Sequence, residues 1–251
     1  MKKLRNFVAL DWRKGPDCMY FIFKDEDRYC RLDLAGNKLA PEHPTTVAGH
    51  WGGFEPHIKN LRFGFTTRGL RFNVTGDAHI NWNELDDILW LFYTGKGVPM
   101  VCLYDQGKDR VHSKMPLSRS IWSSLAGQFN KIVGILWLDN RDPNVLNKFF
   151  SYPDVLGNLQ DYFLVILDNG ECLDFRMPIL QDIPLTNSQI DIFAQNKGNI
   201  MTVVQNDQPM FRTEYYIFLK DGTYLVLDAK TWQQTNHRKI ETDFPYLMKN
   251  A

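Results

Sequence analysis

The chain has 251 residues, of which 44% are apolar and 14% aromatic, enough to fill a large core and to exclude a disordered chain. Its 29 Lys and Arg balance 29 Asp and Glu, leaving no cationic surplus for a phosphate backbone, so general nucleic-acid binding is not expected. Met1-Lys2-Lys3 is basic, but Asp11 cuts off the apolar run after it, and no apolar span is long enough to cross a bilayer. A soluble protein without a membrane span follows, cytoplasmic or exported by a route that needs no cleavable signal.

The first predicted element is a short apolar strand, Phe7-Val8-Ala9-Leu10-Asp11. Two apolar runs around a polar turn, Tyr20 to Asp25 and Tyr29 to Asp33, then read as a β-hairpin. A polar stretch with Pro41 and Pro44 leads on to Trp51. The same order returns as strand Arg62 to Thr66, hairpin Leu89 to Thr94 with Met100 to Asp105, Pro116 and Trp122. A third copy runs from Val133 to Trp137, through Phe163 to Gly170 and Cys172 to Arg176, past Pro178 and Pro184, to Phe193. The fourth has strand Ile200 to Val204, hairpin Tyr216 to Gly222 with Tyr224 to Asp228, and Phe244. The large trailing residue lies 18, 17, 17 and 16 positions after Asp33, Asp105, Arg176 and Asp228.

Ala9, Gly64, Gly134 and Thr202 put a small residue near the same place in each leading strand. Strands that converge on one axis need small groups there, because large ones would hold the backbones apart. Ser and Thr before the trailing aromatics are N-cap signals for short helices. The expectation is an all-β, single-domain four-bladed β-propeller over residues 1–251, with blades near 7–54, 58–127, 131–195 and 199–246 and short helices at the blade ends. Cys18, Cys30, Cys102 and Cys172 are far apart, three of them in the second strand of a hairpin, and are expected to be buried free thiols.

Val8-Ala9-Leu10-Asp11-Trp12, then Met19-Tyr20-Phe21-Ile22-Phe23-Lys24-Asp25 and Arg28-Tyr29-Cys30-Arg31-Leu32-Asp33, resembles a hemopexin-type repeat. The likeness runs over residues 7–54, weakens in the fourth copy from Tyr215 to Asp228, and holds in the other two as spacing alone. It implies a propeller around a central channel, with inner-strand Asp and carbonyl groups able to ring a cation. That family joins its last blade to its first by a disulfide; with no cysteine near either end here, closure falls to packing of the terminal strands. Arg176 departs from the Asp that ends the other hairpins, and residues 67–87 and 139–161 are insertions.

Asp11 matches the channel Asp that the resemblance implies, and Thr66, Asp139 and Gln205 stand nearby in the other strands, forming an expected ligand-binding set. Calcium wants six to eight oxygens, several of them carboxylate, so a weak channel cation, calcium or sodium at Asp11, is the most this set suggests, and no cofactor is required. In the first insertion Asp77, His79 and Glu84 are the alternative catalytic group, as a general base or metal ligands, although a solvated loop explains the same residues. Haem needs an axial His or Tyr in an apolar cleft, and the six histidines are scattered, so haem is not expected. Polyamine binding at the channel mouth, known in plant members of the family, is a further implication of the resemblance.

No GxSxG, Walker, HExxH or GxGxxG pattern occurs. The reading is therefore a non-catalytic binding protein for a small ligand at the channel mouth, or for a protein partner through the long insertions. The alternatives are a toxin-associated or virulence effector, which bacterial members of the family suggest, or an enzyme centred on Asp77 and His79.

Overall fold

The structure, a computed structural model, describes residues 2–13, 17–68, 87–138, 162–176, 179–182, 191–208 and 212–250. After a terminal strand β1 (Lys2–Leu4), the first blade consists of β2 (Phe7–Trp12), β3 (Cys18–Phe23), β4 (Arg28–Asp33) and β5 (Lys38–Leu39), with β6 (Thr45–Thr46) also paired to β4. The second consists of β7 (Leu61–Arg68), β8 (Asp87–Gly95), β9 (Val98–Asp105) and β10 (Arg110–Pro116). The third contains β11 (Ile132–Leu138), β12 (Tyr162–Leu167), β13 (Cys172–Arg176) and β14 (Ile179–Asp182). The fourth contains β15 (Ile200–Gln208), β16 (Arg212–Leu219), β17 (Thr223–Asp228) and β18 (Gln234–Lys239). All neighbouring strands are antiparallel, and β2, β7, β11 and β15 pack in a closed ring. The chain is a four-bladed β-propeller.

Core packing explains the trailing aromatics. Four buried clusters lie between the blades, and each takes one of these residues: Trp51 between the first and second, Trp122 between the second and third, Phe193 between the third and fourth, Phe244 between the fourth and first. Their near-constant spacing is the length of chain needed to leave a hairpin, cross the blade edge and reach the seam. Among the described residues, one α-helix, Asp191–Gln195, carries Phe193 and another, Ile240–Asp243, leads into Phe244. Short 3-10 turns, Glu55–Asn60, Leu117–Arg119 and Ser123–Gln128, occupy similar places.

The expected side-chain caps are absent at those three turns; instead Ser120 Oγ donates to the Leu117 carbonyl and accepts from Trp122 N–H. A single turn offers few free N–H groups, so the hydroxyl shapes the approach to Trp122 instead. The repeated Asp has a comparable task. Asp33 Oδ1 accepts from Ala35 N at 3.1 Å, Asp105 Oδ1 from Lys108 N at 3.1 Å, and Asp228 Oδ1 from Lys230 N and Thr231 N at 2.9 and 2.7 Å. Each carboxylate turns the chain after the second hairpin strand.

Ring closure uses the chain ends. Strand β1 pairs antiparallel with β19 (Met248–Asn250), Leu4 facing Met248, and both pack against the cluster that holds Phe244. All four cysteines are buried free thiols.

The small inner residues do permit close approach, but at two heights. Gly64 and Ala9 sit at the third pair from the hairpin end of their strands, opposite Leu91 and Phe21. Gly134 and Thr202 sit at the second pair, opposite Ile166 and Phe218. The bulges at Val133 and Met201 add a residue that the first blade lacks and so move Gly134 and Thr202 by one pair. The second blade has the same bulge at Arg62, but Gly64 lies one residue further along its strand and returns to the level of Ala9.

Candidate functional site

Counting pairs along the inner strands puts Asp11, Thr66, Trp137 and Gln205 on one level, the fifth from the hairpin end. All four are buried. The expected fourth member, Asp139, lies outside the described residues, and at this level the third blade supplies the indole of Trp137 instead.

Asp11 organises this end of the channel. Its Oδ1 accepts from Thr66 N–H at 2.9 Å, its backbone carbonyl accepts from Thr66 Oγ1 at 2.9 Å, and its Oδ2 faces Arg13 Nε at 3.0 Å. Gln106 closes the circuit, its Nε2 donating to Thr66 Oγ1 at 2.8 Å and its Oε1 accepting from Arg13 N at 3.0 Å. The Arg13 guanidinium lies 5.2 Å from the ring centroid of Trp137, a cation–π distance. The positive charge beside the carboxylate is therefore a side chain of the protein itself. Gln205 shares the level from the fourth blade.

A cleft of about 270 Å³ opens between the fourth and first blades. Its first-blade wall is mainly apolar, with Met19, which pairs with Asp11, then Leu32 and Leu34, and it also carries Asn37. The fourth-blade wall is polar, with Asn206, Glu214, Asn236 and Arg238 beside the rings of Tyr216 and Tyr224. Asn206 directly follows Gln205 on β15, so the cleft and the Asp11 level belong to the same end of the propeller. The strands flanking the two long insertions also pair at that end, Arg68 with Asp87 and Leu138 with Tyr162.

Within the cleft, strand alternation sets the lining. Asn206, Tyr216, Tyr224 and Val226 share one face of the fourth blade, because Tyr216 pairs with Val226 and Phe218 with Tyr224. Tyr216 and Tyr224 stack with ring centroids 5.9 Å apart and planes 7° apart, and Phe244 meets Tyr224 edge-on at 5.0 Å. Burial, reinforced by the charge of Glu214, raises the Tyr216 hydroxyl, and burial with the Asp243 hydrogen bond raises Tyr224, so both remain protonated donors at neutral pH. Tyr224 donates to Asp243 Oδ2 at 2.8 Å, and Arg238 stands 4.0 Å from the same oxygen.

Asn206 is 7% exposed, and its Oδ1 is buried with no hydrogen-bond partner among the described residues. Its side chain also hydrogen-bonds Tyr216. A buried carbonyl acceptor left unpaired costs about 1–3 kcal/mol.

Asp77, His79 and Glu84 lie outside the described residues. Among the described residues no group of three or more His, Cys, Asp or Glu stands close enough to hold a metal ion, and no helix is long and apolar enough to cross a membrane. Arg13, Gln106, Trp137 and Asn206 escaped the sequence reading. Arg13 had a usable signal, since residues two apart on a strand share a face with Asp11. Gln106 and Asn206 had none, because their positions depend on inter-blade geometry.

No protein-family model matches the chain, and no curated protein does. Solved structures similar to it include the crystal structure of BBS1N in complex with ARL6DN, soaked with lead, at 9% identity and TM-score 0.31, covering 95% of this chain and 60% of that one. The crystal structure of the Saccharomyces cerevisiae Sqt1 matches at 12% identity and TM-score 0.30, covering 89% of this chain and 48% of that one. The chain thus spans less than two thirds of either structure.

Proposed function

We propose that this propeller is a non-catalytic recognition protein of hemopexin-like type that binds a small molecule at the Asp11 end of the channel. One observation carries the reading: the cleft between the fourth and first blades joins an apolar wall to a polar one and presents a buried, unpaired acceptor at Asn206. Ligand sites are typically concave, with polar groups placed to fix the ligand, and in this cleft the polar lining outweighs the apolar. The Asp11 circuit supports recognition over catalysis, because the carboxylate is engaged by Thr66 N–H and the Arg13 guanidinium. On this view the circuit ties the first blade, which supplies one wall of the cleft, to the second.

Thermal unfolding with haemin, spermine, calcium chloride and single-ring sugars tests the reading. A true ligand at about 100 times its dissociation constant raises the midpoint by about 5–10 °C for a domain of this size. No shift with these compounds or with a broad metabolite mixture ends it.

A further inference from the structure

Resting on the recognition reading above, we propose that the cleft takes one neutral, hydroxyl-rich ring: a monosaccharide, free or as the terminal residue of a glycan. The lining selects this class by exclusion and by fit. An anion would meet the carboxylates of Glu214 and Asp243, whereas a cation would meet Arg238, with Asp243 already engaged by Arg238 and Tyr224. A wholly apolar ligand would leave the carboxamides of Asn37, Asn206 and Asn236 facing hydrocarbon.

A sugar meets each demand. Its hydroxyls both donate and accept, so one of them can satisfy Asn206 Oδ1 while others bridge the neighbouring amides. Its C–H face suits the negative faces of aromatic rings, which Tyr216, Tyr224 and Phe244 bring to the cleft. Met19, Leu32 and Leu34 offer an apolar wall for the opposite side of the ring. Size sets the limit: about 270 Å³ lies just below the usual range of about 300–1,000 Å³ for ligand pockets, so one ring is accommodated and a longer saccharide must extend outward.

The test is saturation-transfer NMR and calorimetry on the full chain with glucose, galactose, mannose, fucose and N-acetylglucosamine, each also as its methyl glycoside. Spermine and inorganic phosphate serve as charged probes. Asn206→Leu removes the unpaired acceptor, and Leu34→Trp fills the cleft from the opposite blade while leaving every polar group in place. At least one sugar is expected to bind, with Asn206→Leu weakening it about 10–100-fold and Leu34→Trp abolishing it. A methyl glycoside that binds as well as its parent sugar identifies a glycan end as the source, and its failure identifies the free sugar. Sugar binding untouched by both variants overturns the site. Spermine or phosphate binding that both variants abolish, with no sugar bound, overturns the class and leaves the recognition reading standing. Silence from every probe overturns the sugar inference, and silence from a metabolite mixture by native mass spectrometry removes the recognition reading too.

Discussion

Gly134 faces Val203 across the seam between the third and fourth blades so closely that a Cβ on the glycine would sit 2.3 Å from Cγ2 of the valine. An alanine there forces the valine aside in a packed core, and overpacking of this kind costs about 1–3 kcal/mol. Gly134→Ala should lower stability by that amount in urea unfolding, and the double variant with Val203→Ala should lose less than the sum of the singles. Simple additivity within about 0.5 kcal/mol would refute the contact. Gly64 makes a useful contrast: its added Cβ would lie 2.7 Å from the Trp90 backbone oxygen, which cannot turn away. Gly64→Ala should therefore be the more damaging change, and Leu10→Ala should not rescue it.

Asp11 and Arg13 form a buried pair, their side chains 7% and 3% exposed. Removing one partner of such a pair leaves an uncompensated charge and costs about 3–5 kcal/mol, whereas removing both is far milder. Asp11→Asn keeps an oxygen for Thr66 N–H but removes the carboxylate charge that faces Arg13 Nε, so it should approach that range. Asp11→Asn combined with Arg13→Met should recover most of the loss. Chemical denaturation of the single and double variants decides the matter, and a near-neutral single variant would mean that contacts other than Asp11 sustain the guanidinium.

Much of this fold is written in the chain because a propeller repeats its needs. The aromatic hairpins and the anchors Trp51, Trp122, Phe193 and Phe244 recur since each blade must seal one seam. The outer strands Arg110–Pro116 and Gln234–Lys239 were not legible, because an edge strand facing water carries few apolar residues and little alternation. The two heights of the small residues were hidden as well, since a bulge adds one residue without a reliable sequence mark. Of the expected site, Asp11, Thr66 and Gln205 do share a level. The cleft was invisible, as it joins Met19 to Asn206 across nearly the whole chain and closes only when the ring does.

The thiols should be silent in the native state. Burial pushes Cys30 and Cys102 up to about 12, and it raises Cys18 and Cys172 as well. At pH about 8 the thiolate fraction of Cys30 or Cys102 is then about three orders of magnitude below that of a free thiol, before access is considered. An aromatic disulfide reagent should label none of the four in buffer and all four in guanidinium. Fast labelling of any one in buffer would show that its blade opens locally.

Acid should weaken the fold before the carboxylates titrate. Desolvation lowers His43, with the Arg31 charge adding to it against a hydrogen bond to the Tyr29 carbonyl; desolvation and the Lys114 charge lower His57. Lys114 Nζ stands 3.4 Å from His57 Nε2, a contact that suits only the neutral ring, because a protonated imidazole has no lone pair to offer the ammonium. A depressed folded value means that the unfolded chain takes up protons first. The stabilisation is thus complete above the ordinary histidine value of about 6.5 and is lost as pH falls through the lowered values. The unfolding midpoint should fall between pH about 7 and about 5, and His43→Gln with His57→Gln should flatten that slope. An unchanged slope in the double variant would move the acid sensitivity to other groups, and a midpoint that rises on acidification would reverse the assignment of both rings as neutral.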